Sequence, residues 1–188
     1  MTALTPANQL TLLRMLLIPA FVILVLYGEL GWALIVFVTA GATDALDGLI
    51  ARRAGQKTQL GAWLDPMADK LLLVTTFIVL SLPGLGLANR LPVWLTVLII
   101  SRDVVIVLTV TIVNLAIGPR TFRPSVFGKT ATAIYILTAV AAMLFNYLGS
   151  HSIVVDLFVY ASLAITLVSS LHYIWHAARI IDEPRAGV

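Results

Sequence analysis

The chain has 188 residues, of which 60% are hydrophobic and only 11% charged, and its mean hydropathy is +1.02. A soluble domain carries roughly 25% charged residues, so this composition excludes an ordinary soluble enzyme. The net charge of +3 and the pI of about 9.5 do not imply nucleic-acid binding, because in a membrane chain the placement of basic residues matters more than their sum.

Six runs are long and apolar enough to cross a bilayer as helix, which takes about 20 residues. The first, Leu10–Tyr27, contains Arg14 and ends in Leu-Tyr-Gly-Glu without a small-x-small cleavage pattern, so it is expected to be retained and not removed as a signal peptide. Trp32–Arg52 and Leu60–Leu82 follow, then Pro92–Ile117, Phe127–Leu148 and Ile153–Ile180. The intervening segments (Gly28–Gly31, Arg53–Gln59, Pro83–Leu91, Gly118–Val126 and Gly149–Ser152) are short, which forces neighbouring spans to run antiparallel. The expectation is an all-α, polytopic membrane protein of six spans, with residues 1–188 forming a single transmembrane domain.

Basic residues orient it. With a cytoplasmic N-terminus, Arg52, Arg53, Lys57, Arg120, Arg123, Lys129, Arg179 and Arg185 fall on the inner side and Arg90 alone on the outer. That asymmetry predicts both termini in the cytoplasm. Trp32 and Trp94 would then mark outer span ends, and Trp63 and Trp175 inner ones. Absence of cysteine excludes disulfides and thiolate metal sites.

Chemistry concentrates between Asp44 and Asp69. Asp44 and Asp47 are spaced i, i+3 on the second span, and Asp65 and Asp69 i, i+4 on the third, so each pair shares one helix face. A carboxylate in hydrocarbon is costly unless ions, water or cations compensate it. The pairs lie ~8–10 Å from the connection between their spans, at similar depth. Oxygen-only ligands suit Mg²⁺, Mn²⁺ or Ca²⁺ and disfavour zinc. Four of them can hold two ions, a recurrent device for displacement at phosphorus. Gly48, Ala51 and Gly61 permit close approach of a ligand, and Arg52 offers a planar donor fork for phosphate oxygens. A buried structural ion-pair network has too few cations nearby, with Arg52 and Lys70 as its only partners. A divalent-cation transporter is the alternative from another class. It would spread acids over several spans, and no counterpart of the cluster follows Pro92.

These residues spell Asp44-x2-Asp47-Gly48-x2-Ala51-Arg52-x8-Gly61-x3-Asp65-x3-Asp69, which resembles the signature of the CDP-alcohol phosphotransferase family. Asn8, Leu10, Thr11, Arg14 and Pro19, together with Asp65-Pro66-Met67-Ala68-Asp69-Lys70, resemble its phosphatidylglycerophosphate synthase and cardiolipin synthase branches. Ala7, between Pro6 and Asn8, departs from the usual pattern. The resemblance implies six transmembrane helices, a homodimer, and displacement of CMP from CDP-diacylglycerol by an alcohol. It implies that Asp44, Asp47, Asp65 and Asp69 bind two divalent ions, Mg or Mn, and that Asp69 also takes the acceptor's proton. Gly48, Ala51, Arg52 and Gly61 would line the CDP pocket, and Asn8, Thr11 and Arg14 could border it. The active site would open to the cytoplasm for soluble product and sideways to membrane lipids.

Arg102, Arg120, Arg123 and Lys129 form a second basic group that could hold an acceptor phosphate. Glycerol 3-phosphate is the first expected acceptor and phosphatidylglycerol the second, although Ile100-Ser101-Arg102-Asp103 with Arg123-x5-Lys129 looks closer to the cardiolipin synthases. Arg102 and Asp103 are adjacent, point about 100° apart on a helix and need not pair. Arg53 and Lys57 are read as topogenic charges, Lys70 as balancing charge beside Asp69, Asp103 as structural and Asp156 as interfacial. His172 and His176 are read as interface anchors in preference to metal ligands, and Gly84 and Gly86 as turn residues.

Overall fold

The computed structural model describes the backbone of residues 6–54, 59–117 and 126–182. Side chains are described over most of that length, but not for residues 6–10, 44–54, 59–67, 69, 110, 113, 114, 116, 117 and 176–182. Six helices follow one another: α1 Pro6–Leu26, α2 Leu30–Ala54, α3 Gln59–Ser81, α4 Val93–Ile117, α5 Val126–Tyr147 and α6 Ile153–Asp182. No strand occurs among the described residues.

Each helix coincides with one expected span, but the ends move. The first starts earlier, at Pro6, where a missing N–H costs nothing because the first turn has no acceptor for it. The second runs past Arg52 to Ala54, since backbone hydrogen bonding continues where hydrophobicity stops. Two helix ends use the same device. After α1, Glu29 N–H donates to Leu24 C=O and Gly28 N–H to Val25 C=O, with Gly28 at φ +79°. After α5, Ser150 N–H donates to Phe145 C=O and Gly149 N–H to Asn146 C=O, with Gly149 at φ +67°. Glycine enters this left-handed conformation without a Cβ penalty.

The core is mainly apolar but also takes in polar side chains, while apolar side chains cover much of the exterior. Arg14, Thr76, Thr96, Thr138, Ser162, Thr166 and Ser169 are buried, whereas Leu16, Ile35, Leu71, Val107, Leu137 and Leu157, one on each helix, are exposed. Water would not tolerate so continuous an apolar surface; lipid does. Hydroxyls enter such helices by bonding their own backbone. Thr39, Thr76, Thr109, Thr111 and Ser170 each donate to the carbonyl four residues back, at 2.7–2.8 Å. Among the described residues, Val126–Tyr147 and Ile153–Trp175 are long and apolar enough to cross a membrane, and Thr11–Leu26, Leu30–Thr43 and Lys70–Ser81 form shorter apolar stretches.

Helix α3 packs against α1, α2, α4 and α5, while α6 lies on α4 and α5. Small residues allow the close approach: Ala33 and Ala40 on α2, Ala139 and Ala142 on α5 are all buried. The α1–α2 antiparallel register is anchored by Phe21 and Phe37, whose rings lie 6.0 Å apart.

At the end of the bundle holding the α1–α2, α3–α4 and α5–α6 turns, an asparagine pair joins two connections. Asn146 Oδ1 accepts from the Asn89 backbone N–H at 2.7 Å, and Asn146 Nδ2 donates to Asn89 C=O at 3.2 Å. The Asn89 side chain donates to Ser150 C=O at 2.7 Å and accepts from Ser152 N–H at 2.8 Å. The Pro83–Leu91 segment is thereby fixed to the α5–α6 turn. Within it Gly84 and Gly86 take φ +91° and +64°, as expected of turn residues.

Candidate active site

Buried residues on α2 recur at Ala33, Phe37 and Ala40. The same alternation of four and three residues continues through positions 44, 47 and 51. On α3, Ala68 and Leu72 are buried, and positions 65 and 69 stand three residues before each. The helical backbone therefore puts the four aspartate positions in register with the buried stripes of two neighbouring helices. The side chains of Asp44, Asp47, Gly48, Ala51, Arg52, Gly61, Asp65 and Asp69 themselves lie outside the described residues. No cluster of three or more His, Cys, Asp or Glu side chains occurs among the described residues. The proposed ligands are not among them.

Helix rise sets the depth. From the turn end of the bundle, Asp44 is ~21 Å along α2 from Leu30, and Asp69 is ~18 Å along α3 from Ser81. The two positions are level, as their distances from the α2–α3 connection require.

On the basic side, the Arg102 side chain is nine-tenths buried. Its Nη1 donates to Asp103 Oδ1 at 2.8 Å and its Nη2 to Ser169 Oγ at 2.5 Å. Helix geometry does not require this pair, but a long, flexible arginine can bend back to the shorter carboxylate, and both side chains are largely buried. Lys70 Nζ is 3.4 Å from Asp103 Oδ2, so Asp103 ties α3 to α4 and holds two cations. That matches its structural assignment. Among the described residues Lys70 therefore balances the charge of Asp103, on another helix. Arg102 Nε is buried without a hydrogen-bond partner among the described residues. Lys129 is exposed in the first turn of α5. Arg120 and Arg123 lie outside the described residues.

Ser169 was not picked out from sequence. It belongs to a hydroxyl stripe along α6 with Ser162 and Thr166. Thr138 Oγ1 lies 2.8 Å from Ser162 Oγ, and Tyr135 Oη lies 2.6 Å from Thr166 Oγ1. The three-and-four spacing of these small polar residues was the available signal. The His172 ring packs at a tilt against Phe127, with centroids 4.8 Å apart, and lies 6.2 Å from that of Trp175, an aromatic setting that suits an anchor. The His176 side chain lies outside the described residues. Asp156 is half-exposed, 3.8 Å from His151, at the start of α6. A cavity of about 590 Å³ lies at the turn end, between Gly28–Ile35 and Leu144 and Tyr147, remote from the aspartate positions.

The described residues form a helical bundle with apolar side chains on its exterior and the four aspartate positions in register on two adjoining helices. The CDP-alcohol phosphatidyltransferase pattern matches residues 4–171, and the chain belongs to that family. It is 33% identical over 187 residues to a "Probable phosphatidylglycerophosphate synthase" of Mycobacterium tuberculosis, covering 95% of this chain and 84% of the relative. It is 34% identical over 194 residues to a "Cardiolipin synthase (CMP-forming)" of Rattus norvegicus, covering 93% of this chain and 62% of the relative. A Streptomyces coelicolor protein of the same name is 37% identical over 135 residues, covering 69% of this chain and 60% of the relative. The chain is accordingly a CDP-alcohol phosphatidyltransferase, a membrane enzyme of phospholipid biosynthesis, in a family that is generally dependent on divalent metal.

Proposed function

We propose that the enzyme transfers the phosphatidyl group of CDP-diacylglycerol to glycerol 3-phosphate, giving phosphatidylglycerophosphate and CMP. The match to a phosphatidylglycerophosphate synthase across 95% of this chain and 84% of that protein carries this reading. Cardiolipin synthesis from phosphatidylglycerol is the second reading, favoured by the similar identity to the rat enzyme.

The acceptor oxygen attacks the phosphorus bearing diacylglycerol, the bond from that phosphorus to the CMP oxygen breaks, and Asp69 takes the acceptor's proton. Asp44, Asp47, Asp65 and Asp69 are the ligands for two ions, Mg or Mn; an all-carboxylate donor set in an apolar bundle suits hard cations of that kind. When bound, the ions supply positive charge against the diphosphate and the departing CMP. Gly48, Ala51, Arg52 and Gly61 line the CDP pocket. Arg102, Arg120, Arg123 and Lys129 face the acceptor phosphate; the unfilled Nε of Arg102 supports its inclusion. In this reading all six helices span the membrane as a single domain of residues 1–188, in a homodimer. Both termini and the site's opening face the cytoplasm.

The decisive experiment supplies labelled CDP-diacylglycerol and Mg²⁺ or Mn²⁺ to purified enzyme and identifies the lipid product by mass for each acceptor. CMP release with glycerol 3-phosphate is expected, and none without acceptor. Asp69→Asn abolishes turnover while leaving metal and nucleotide binding largely intact; full activity in that variant removes Asp69 as base. Arg120→Ala and Arg123→Ala raise the acceptor KM more than the CDP-lipid KM, and an unchanged acceptor KM excludes them from that role. Metal flux into sealed vesicles without CMP release would favour the transporter alternative.

A further inference from the structure

Arg14 is the largest fully enclosed side chain among the described residues, at 0% exposure. It sits on the inner stripe of α1, with Thr11 and Phe21 also buried and Val25 at the turn end. A guanidinium stays charged at any biological pH, so its burial demands acidic partners. The chain has nine acidic residues. Glu29 lies in the α1–α2 turn, Asp156 at the start of α6 and Asp182 at its far end, and Glu183 follows in sequence, outside the described residues. Asp103 is engaged by Arg102 and Lys70. The remainder are Asp44, Asp47, Asp65 and Asp69, all on the two helices against which α1 packs.

Register makes the assignment specific. With Phe21 against Phe37, the antiparallel pair steps outward to Val25 opposite Ala33 and inward to Ile18 opposite Ala40, all buried or half-buried. The next steps bring Arg14 opposite position 44 and Thr11 opposite position 47. Along α1, Arg14 is ~18 Å from Leu26, level with Asp69 on the parallel helix α3. The other charged positions on α2 and α3 are Arg52 and Arg53, further along toward the α2–α3 connection, and Lys70, which pairs with Asp103.

We infer that Arg14 is the fixed counter-charge of the carboxylate site: a positioning residue that braces the acids before ions arrive and offsets the lipid diphosphate once they have. The inference rests on the proposed function and deepens it. Four carboxylates and two divalent ions cancel, leaving the two negative charges of a diphosphate to be met by Arg14 and Arg52. In a medium of low dielectric, a neutral loaded site is far cheaper than a doubly charged one. The same cation repels incoming metal in the substrate-free protein, so its removal has opposite effects on the two ligands.

The test uses full-length protein in lipid nanodiscs, with Mn²⁺ binding followed by electron paramagnetic resonance in the absence of CDP-lipid, alongside CMP-release kinetics. Arg14→Gln is expected to bind Mn²⁺ at least threefold more tightly and to raise the CDP-diacylglycerol KM at least tenfold, with the acceptor KM within twofold of wild type. Arg14→Lys keeps the charge and loses the fork; it retains wild-type Mn²⁺ affinity and raises the CDP-lipid KM at least threefold. A parallel loss of metal and lipid affinity in Arg14→Gln, as a merely structural role gives, would overturn the inference, as would wild-type values for both. If Arg14→Gln does not fold, Arg14→Lys decides alone: a wild-type CDP-lipid KM, or a Mn²⁺ affinity changed more than threefold, overturns it. Absence of CMP release from wild-type enzyme with every acceptor sinks the proposed function, whereas the Mn²⁺ comparison still judges Arg14.

Discussion

Asn146→Ala is a sharp test of how the turn end of the bundle is held. Asn146 is 7% exposed and serves both backbone groups of Asn89, itself 4% exposed, accepting from its N–H at 2.7 Å and donating to its C=O at 3.2 Å. Truncation leaves that N–H and C=O buried and unpaired. Each such group costs roughly 1–3 kcal/mol. Interhelical side-chain bonds in membrane proteins average nearer 0.6 kcal/mol, because the unfolded chain finds substitute partners. Two orphaned groups at the bundle end, within occasional reach of water, bring the expected loss to about 2–3 kcal/mol. For a chain of this size that is a fall in Tm of about 4–10 °C. Asn89→Ala makes the control: it deletes bonds to Ser150 C=O and Ser152 N–H, which lie at a partly exposed turn where water replaces them. Its loss is expected near 1 kcal/mol. Thermal unfolding in detergent or nanodiscs, with CMP release at 25 °C in parallel, measures both. Asn146→Ala should keep kcat within twofold, since the aspartate positions lie toward the opposite end. A Tm within 1 °C of wild type, or a larger loss for Asn89→Ala than for Asn146→Ala, would refute the reasoning.

Three further perturbations probe other parts of the bundle. Tyr135→Phe removes the 2.6 Å contact with Thr166 but preserves the edge-on packing against Phe77, whose ring centroid is 6.0 Å away; a loss of about 1 kcal/mol in unfolding stability is expected, and a loss above 3 kcal/mol would show that the ring packing was disturbed. Gly31→Ala places a Cβ 2.8 Å from Tyr147 Cε2, yet Tyr147 is 61% exposed and its ring can swing aside. The clash therefore largely offsets the helix-propensity gain, which at the second residue of α2 falls below the roughly 1 kcal/mol of a helix interior. The gain should emerge in a Tyr147→Ala background, where the ring is absent; identical effects of Gly31→Ala in both backgrounds, compared as a double-mutant cycle, would argue against the contact. Chelation by EDTA should stop CMP release by wild-type enzyme and Mg²⁺ or Mn²⁺ should restore it; undiminished release in EDTA would exclude the proposed metal role.

Much of this protein was written in one dimension. Hydrophobic run length and the turn residues between runs gave six helices at nearly the right places, because a helix in an apolar setting satisfies its backbone locally. The aspartate spacing likewise revealed a shared face, since the three-and-four repeat is a property of the helix itself. Family membership followed from the same stretch.

Only the packed structure decided which charges meet. Adjacent Arg102 and Asp103 pair although helix geometry left that open, and Asp103 reaches Lys70 on a different helix, because Arg102 and Asp103 are largely buried between α3, α4 and α6 while Lys70 reaches in from the surface. The enclosure of Arg14, the reciprocal asparagines joining two distant turns and the hydroxyl contacts between α5 and α6 were equally out of reach of periodicity. Each depends on the rotation and height at which one helix meets another, and those are set by side-chain packing between elements far apart in the chain.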